Sequence, residues 1–509
     1  MLTPEEALAL YGQGPQAVIR RLLEQDGEIE ALRQRLQTLR KDNEILRQQN
    51  EALRQRVEEL ERRVAALSKN STNSSKPPSS DDLTKPRPRR RHHHGKGKPG
   101  AKPGHPPHER PLFAPEQVDL VHDYHPERCP DCGQTLTPVD WAPKIRQQVE
   151  LPPIKVIVEE HRAHAGRCEH CGRIHYAPFP PEVEKAGLFK EQLTALVAYL
   201  KFAHHASFST IRKFLRDVLD LSVSRGYLCK VIQKVSEALR QPYEELLARL
   251  PLESVINVDE TGHKENGHRF WTWVFRADLY ALFKIDASRS SQVLIDVLGV
   301  EFDGALGCDC FSAYRKYMSD FNIAVQFCLA HLIRDVKYLV SLPDEPTRAY
   351  GERLLAALRR LFAVIHRREL MEPADFACVL EWARDHLLKI GIEQAPGQQS
   401  GALGKKYAQA QNMAERFRKH GEAFFRFITT PGLSPTNNAA EQALRFVVID
   451  RLVTQGTRSE RGRAACERFW TVLATCTLQG RSAFAFILEA VKAAFHHRPI
   501  PSLLPLPSG

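Results

Sequence analysis

The chain has 509 residues, with 72 Lys and Arg against 61 Asp and Glu and a net charge of +11. That length exceeds one hydrophobic core, so three or more folded units are expected, and the positive balance points to a polyanionic partner. No run of about 18 apolar residues exists, and the opening MLTPEEALALYGQG lacks a signal peptide's charged and apolar regions, which excludes a membrane partner and sets a cytoplasmic location as the expectation. Eleven cysteines, four of them in CxxC pairs, suit a reducing compartment better than a disulfide framework.

Residues 1–67 read as an N-terminal helix and a coiled coil. In one register Ile29, Leu36, Asn43, Asn50, Val57 and Val64 occupy a, and Leu32, Leu39, Leu46, Leu53, Leu60 and Leu67 occupy d. A leucine at every d position builds a coiled coil, and asparagines at two a positions favour a parallel homodimer in register, because each buried amide pairs with its twin. Glu28 facing Arg33 and Asp42 facing Arg47 agree, whereas Arg35 opposite Arg40 does not. A single solvated helix or a helical hairpin is the competing reading.

Residues 68–111 change character: Pro, Gly, Ser, Lys and Arg dominate and apolar residues nearly vanish, so a disordered basic linker is expected. Its Arg89–Arg91 run and the following lysines suit DNA phosphates, although a solvated linker has the same composition. In residues 112–185, Cys129-Pro-Asp-Cys132-Gly and Cys168-Glu-His-Cys171-Gly repeat one pattern with 35 residues between the pairs. Two such turns present four thiolates to one structural Zn²⁺, a zinc ribbon whose strands would be IRQQVELP and IKVIVEEHRAHAG.

Residues 186–250 read as helices, GLFKEQLTALVAYLKFAHH, SFSTIRKFLRDVLD and LSVSRGYLCKVIQKVSEALR, the third capped by Ser222 and presenting Arg225, Tyr227 and Lys230 early. This is helix-turn-helix-like, a DNA-binding arrangement. An ordinary three-helix packing unit fits the same pattern.

Residues 251–480 hold the most informative pattern. SVINVDETGH is an apolar run ending in an acid, followed by the turn residues Glu265-Asn266-Gly267. RFWTWVFRAD and LYALFKIDAS read as two further strands, SQVLIDVLGV as a helix and GALGCDCFSAY as a strand ending in an acid. Three antiparallel strands, a helix and a strand parallel to the first is the ribonuclease-H-like order, which sets Asp259 beside Asp309. Two such acids repel, and two Mg²⁺ ions remove the conflict while activating an attacking oxygen and steadying a leaving one. A third acid must come from beyond a helical insertion at about 343–430 that is interrupted by PGQQSG. Glu441 falls in the first turn of a helix begun by Pro435 to Asn438, but Asn438 three residues ahead of it also fits a capping box. Residues 481–509 form a C-terminal helix and tail.

Together SKNSTNSSKPPSSD (68–81), the paired CxxC motifs, VDET and TNNAAEQALR resemble the IS66 family of bacterial insertion-sequence transposases over nearly the whole chain. The resemblance implies a Mg²⁺-dependent DDE transposase in the bacterial cytoplasm, with catalysis by Asp259, Asp309 and Glu441. It also implies binding of element ends and target DNA, and accessory proteins from the same element. It raises Cys328 and His331 as a family-like element of open role, where a strand end followed by an amphipathic helix fits equally. Thr436 stands where many relatives have Asp. The fold class expected is multidomain α/β: coiled coil, zinc ribbon, helix-turn-helix-like region and ribonuclease-H-like core with an all-helical insertion. A dimeric zinc-containing DNA-binding regulator explains residues 1–250 equally well but leaves 254–480 without a purpose, and a Mg²⁺-dependent nuclease that does not transpose differs only by the resemblance.

Overall fold

A computed structural model of the protein describes residues 3–67, 111–152, 154–396 and 407–505. The basic linker from residue 68 to 110, including Arg89–Arg91 and the SKNSTNSSKPPSSD stretch, lies outside the described residues, as does PGQQSG from Gly397 onward.

The N-terminal part is helical. Helix α1 (Pro4–Gly12) starts at a capping box between Thr3 and Glu6, and α2 (Pro15–Leu67) runs unbroken for 53 residues, about 80 Å at 1.5 Å per residue. The six leucines expected at d are between 47 % and 72 % exposed along it, so α2 carries an exposed apolar seam.

A smaller unit lies within Asp82–Lys185 and Ala206–Cys229. Its two strands, β1 (Ala165–Arg167) and β2 (Ile174–Tyr176), pair antiparallel across the second CxxC turn. The longer strands expected at IRQQVELP and IKVIVEEHRAHAG are not formed, apart from Ala165 and Gly166 at the end of the second. Ile157 and Val158 are 90 % and 84 % exposed; their β-branched run has strand propensity, but propensity forms a strand only where a partner ladder and a face to bury exist.

Helices α3 (Pro181–Ala186), α4 (Glu191–Phe202), α5 (Phe208–Leu219) and α6 (Arg225–Ala238) follow. The division between units falls inside the 186–250 region, grouping α5 and the start of α6 with the smaller one. Between them Asp220 takes a left-handed conformation (φ 54°) that stops α5. Ser224, not Ser222, caps α6: its hydroxyl accepts from the Tyr227 amide at 3.1 Å. Arg225 donates to the Ser209 hydroxyl.

The larger unit centres on a five-stranded mixed sheet that follows α7 (Arg240–Arg249). Strands β3 (Val255–Glu265) and β4 (His268–Arg276) form a hairpin whose turn residues Asn266 and Gly267 have φ of 48° and 86°, the doubly left-handed turn that an Asn-Gly pair favours. Strand β5 (Ala281–Asp286), helix α8 (Gln292–Leu298), β6 (Ala305–Cys308), α9 (Ser312–Phe321) and β7 (Ala324–Phe327) complete the sheet in the order β5-β4-β3-β6-β7. The β3–β4 and β4–β5 pairs are antiparallel, and β3–β6 and β6–β7 parallel. Ile256, Val258, Trp273, Phe275 and Phe283 are almost fully buried in its core.

Helix α10 (Leu329–Val340) leads into α11 (Glu345–Ile365), α12 (Pro373–Glu393) and α13 (Ala408–His420), which pack in succession as a helical insertion. The chain returns through α14 (Asn438–Thr454) along β3 and β4, α15 (Glu460–Leu478) along β5, and α16 (Ala483–Phe495). Helix α15 seals the sheet edge. Its Thr475, Thr471 and Glu467 side chains, at i, i−4 and i−8, accept from the Ala281, Phe283 and Ile285 amides of β5 at 3.3, 3.0 and 2.6 Å. Four helical residues rise about 6 Å and two strand residues about 6.6 Å, so the two repeats match. Among the described residues no helix is long and apolar enough to cross a membrane.

Candidate active site

The β3–β6 register fixes two of the acids. Asn257 pairs opposite Gly307 in the parallel ladder, and two residues beyond that pair stand Asp259, still on β3, and Asp309, one residue past the end of β6. Asp259 therefore shares a face with Asn257, by the side-chain period of two, and Asp309 follows directly where β6 ends. A local turn stops β6 there: Asp309 Oδ1 accepts from the Phe311 amide at 2.9 Å, one residue before α9 begins. Asp259 Oδ1 accepts from the Glu260 amide, also at 2.9 Å.

Both acids are partly buried and hold their protons more tightly than ordinary carboxylates. Asp259 is pushed well above the usual carboxylate range by burial, then by the charges of Glu260 and Asp309, with Glu441 adding to the effect. Asp309 is pushed up to about 7 by burial and the Glu260 charge, against the relief given by Arg289. Clustered, desolvated acids of this kind are what a divalent cation relieves.

Glu260 points to the other face, 4 % exposed. It accepts from Arg289 Nε at 2.8 Å and Nη2 at 2.6 Å, and from the Tyr314 hydroxyl. The Arg289 guanidinium lies 4.4 Å over the Trp271 ring and 3.9 Å over Phe311. Sequence reading missed Arg289; the signal was a second acid beside Asp259 on a buried strand, which demands a cation.

Glu441 sits in the first turn of α14, and the capping-box reading fails. The residue preceding the helix is Asn437, which makes no side-chain cap bond, and Asn438 is already helical. The Glu441 carboxylate instead meets Arg334 Nη2 at 3.2 and 3.4 Å and His331 Nδ1 at 3.5 Å. Arg334 is one turn beyond His331 on α10, so the two share a face, a relation the sequence contained but that pointed to Glu441 only once folded.

Among the described residues, the one group of three with ligand atoms within 4.8 Å of one another is Cys328, His331 and Glu441, not the three acids. The hydrogen bonding argues against an ion in that group. Arg334 Nη1 approaches His331 Nε2 at 3.1 Å, and a guanidinium only donates, so Nε2 accepts and Nδ1 carries the hydrogen. A ligand at Nδ1 needs the opposite tautomer. His331 is held below its ordinary pKa by burial and by Arg334, and Cys328, with its thiol pushed up by burial, accepts from the Asn437 amide at 3.1 Å.

The four predicted zinc cysteines occupy two identical turns. The Gly133 amide donates to Cys129 O at 2.9 Å and the Cys129 amide donates to Gln134 O at 2.8 Å; the Gly172 amide to Cys168 O and the Cys168 amide to Arg173 O repeat this at 2.8 Å each. Gly133 and Gly172 have φ of 73° and 66°, a conformation that favours glycine. The Cys129 thiol is lowered by the Asp131 and Cys132 amides, and Cys168 by the amide and thiol of Cys171 and the amide of His170. These turns stabilise thiolate, as zinc ligands require. The structure does not bring the two pairs within single-ion distance of each other.

A family model described as "Transposase IS66 family" matches residues 186–465, more than half of the chain. The "zinc-finger binding domain of transposase IS66" matches 126–172, and a family of unknown function matches 16–111. Two proteins of Sinorhizobium fredii are similar over most of their length. "Uncharacterized protein y4hP" is 22 % identical over 420 residues, 76 % of this chain and 75 % of its own. "Uncharacterized protein y4qI" is 23 % identical over 409 residues, 75 % and 73 %.

Proposed function

This chain belongs to the IS66 transposase family, and from that premise we propose that Asp259, Asp309 and Glu441 are its catalytic acids in a ribonuclease-H-like DDE core that cuts and joins DNA. The observation that carries the reading is the β3–β6 register, which gives Asp259 and Asp309 corresponding positions two residues past the last pair of the shared ladder. The raised pKa of each, with Asp309 and Glu441 both contributing to that of Asp259, supports it.

The donor set is all oxygen and suits Mg²⁺, which Asp259, Asp309 and Glu441 would hold. When bound, two such ions supply Lewis-acid polarisation of a phosphoryl oxygen and an activated nucleophile. The protein's own part is positional. Asp259 and Asp309 present their carboxyl groups together at the end of β6, and Glu260 is paired to Arg289. Arg334 and His331 fix the Glu441 carboxylate at the start of α14. The reaction this serves is hydrolysis at the element's 3′ end, followed by attack of that hydroxyl on target DNA.

The zinc-finger match at 126–172 supports Zn²⁺ binding and DNA as the partner; we assign Cys129, Cys132, Cys168 and Cys171 as the ligands of one ion. The helix-turn-helix-like 186–250 region and the basic linker would add DNA contacts. The exposed leucine seam of α2 supports a parallel dimer. Cleavage of a duplex carrying the element's terminal sequence, by purified protein with Mg²⁺, tests the proposal. Asp259→Asn is expected to abolish cleavage and strand transfer while DNA affinity stays near that of the wild type; an active Asp259→Asn protein would overturn it.

A further inference from the structure

We infer that Asn437 is a positioning residue that sets the third carboxylate against the strand carrying Asp259, an inference resting on the reading of Glu441 as the third acid. Asn437 immediately precedes α14, where asparagine is favoured because its side chain caps the helix's own amides. Here that bond is absent. The side chain, in a residue only 1 % exposed, is turned onto the sheet instead.

Four bonds converge on it. Its Nδ2 donates to Val258 O at 2.8 Å, and its Oδ1 accepts from Asn257 Nδ2 at 3.0 Å. Its backbone amide donates to Cys328 Sγ at 3.1 Å, and its carbonyl accepts from the Glu441 amide at 3.2 Å. A carbonyl oxygen only accepts, so the contact with Val258 O fixes which way the Asn437 amide points.

These partners are the neighbours of the site. Val258 precedes Asp259 on β3, Glu441 lies one helical turn past Asn437, and Cys328 opens the helix that brings His331 and Arg334 to Glu441. One residue therefore joins three elements: its side chain holds the strand, and its backbone meets the helix bearing the third acid and the start of the helix that grips that acid. At its far end α14 is tied to β3 again, through Arg451 to Gly262 O and to the Thr261 hydroxyl.

Gly307 belongs to the same device. It faces Asn257 across the β3–β6 ladder, and a Cβ there would fall 2.3 Å from Asn257 Nδ2. Only glycine leaves room for the Asn257 amide to reach Asn437. The geometry of three acids from two strands and a helix must hold within about half an ångström to work as one site, and this buried amide pair is what holds it.

The test is Mn²⁺ binding by the zinc-loaded, full-length protein, read from the electron paramagnetic resonance signal of free Mn²⁺. Wild type, Glu441→Gln, Asn437→Ala and Asn257→Ala are compared in samples that keep the wild-type far-UV spectrum and zinc content. Glu441→Gln and Asn437→Ala are both expected to weaken Mn²⁺ binding, Asn437→Ala by about tenfold, the scale on which supporting residues act on a metal site. A general packing defect would lower the melting temperature without moving that affinity. If Glu441→Gln weakens binding and Asn437→Ala does not, positioning by Asn437 is overturned while the reading of Glu441 stands. If Glu441→Gln binds Mn²⁺ as the wild type does, that reading fails and the inference with it. Should Asn437→Ala not fold, Asn257→Ala decides: it removes one bond and leaves the Val258 contact, so a loss of about threefold is expected, and an unchanged affinity overturns the inference.

Discussion

Replacing Glu467 by glutamine should make the protein more stable in alkaline solution and leave it unchanged in acid. Glu467 is the third side chain with which α15 closes the edge of the sheet, accepting from the Ile285 amide at 2.6 Å. Burial pushes its pKa from 4.5 up to about 7, against the Ile285 amide and the cations Lys284, Arg463 and Arg468, which favour the charged form. Because the folded-state pKa lies above the unfolded one, the stability this group contributes is complete below about pH 4.5 and is lost as pH rises through about 7. At ~1.36 kcal/mol per pKa unit the loss reaches about 3 kcal/mol above pH 8. Glutamine keeps the acceptor oxygen and never ionises, so Glu467→Gln should match the wild type near pH 4.5 and exceed it by up to about 3 kcal/mol above pH 8. Urea unfolding of both proteins at the two pH values measures the difference. Thr471→Val is the control: it strands the Phe283 amide and should cost about 1–3 kcal/mol at either pH. A difference between Glu467→Gln and wild type that does not change with pH, or a variant less stable at pH 8, would refute the argument.

At the candidate site, Glu441→Gln should lower cleavage by about a thousandfold or more with little change in DNA affinity, because glutamine keeps the shape but loses the ligand charge; single-turnover cleavage and filter binding check both. Cys129→Ser should abolish the one zinc expected per chain and unfold residues 112–185, seen by metal analysis and limited proteolysis. Replacing Leu46 and Leu53 together by glutamate should convert a dimer to a monomer in sedimentation equilibrium, since it puts charges into the seam of α2; a wild-type monomer at tens of micromolar would remove the basis for that dimer.

The strands that carry the first two candidate acids were legible because their logic is local. Apolar runs ending in acids gave Asp259 and Asp309, and the Asn266-Gly267 turn gave the hairpin that starts the sheet. What remained hidden was which polar groups meet across long separations: Arg289 with Glu260, Arg334 with Glu441, Asn257 with Asn437. A single sequence gives each residue's needs but not its partner. The two adjacent asparagines show how small a shift matters. Starting α14 one residue earlier than a cap at Asn438 requires frees Glu441 from the capping box and frees the Asn437 side chain for the sheet. The zinc-ribbon strands were misplaced for the converse reason, since strand propensity at 145–158 has no ladder to join.

The proposed site draws on acids far apart in sequence, and the helical insertion lies between them. Asp309 and Glu441 are separated by 132 positions, yet the chain leaves the sheet and returns to it at almost one point. The Leu329 amide donates to Pro435 O at 3.0 Å, and one residue earlier Cys328 Sγ takes the Asn437 amide. The ends of the excursion are thus hydrogen-bonded to each other, while α11, α12 and α13 pack on one another in turn. Closure entropy grows only slowly with the length of such a loop. The insertion can therefore change in size while the neck at 328–329 and 435–437 keeps the same geometry. That neck, rather than the insertion, sets where α14 begins and therefore where Glu441 stands relative to β3.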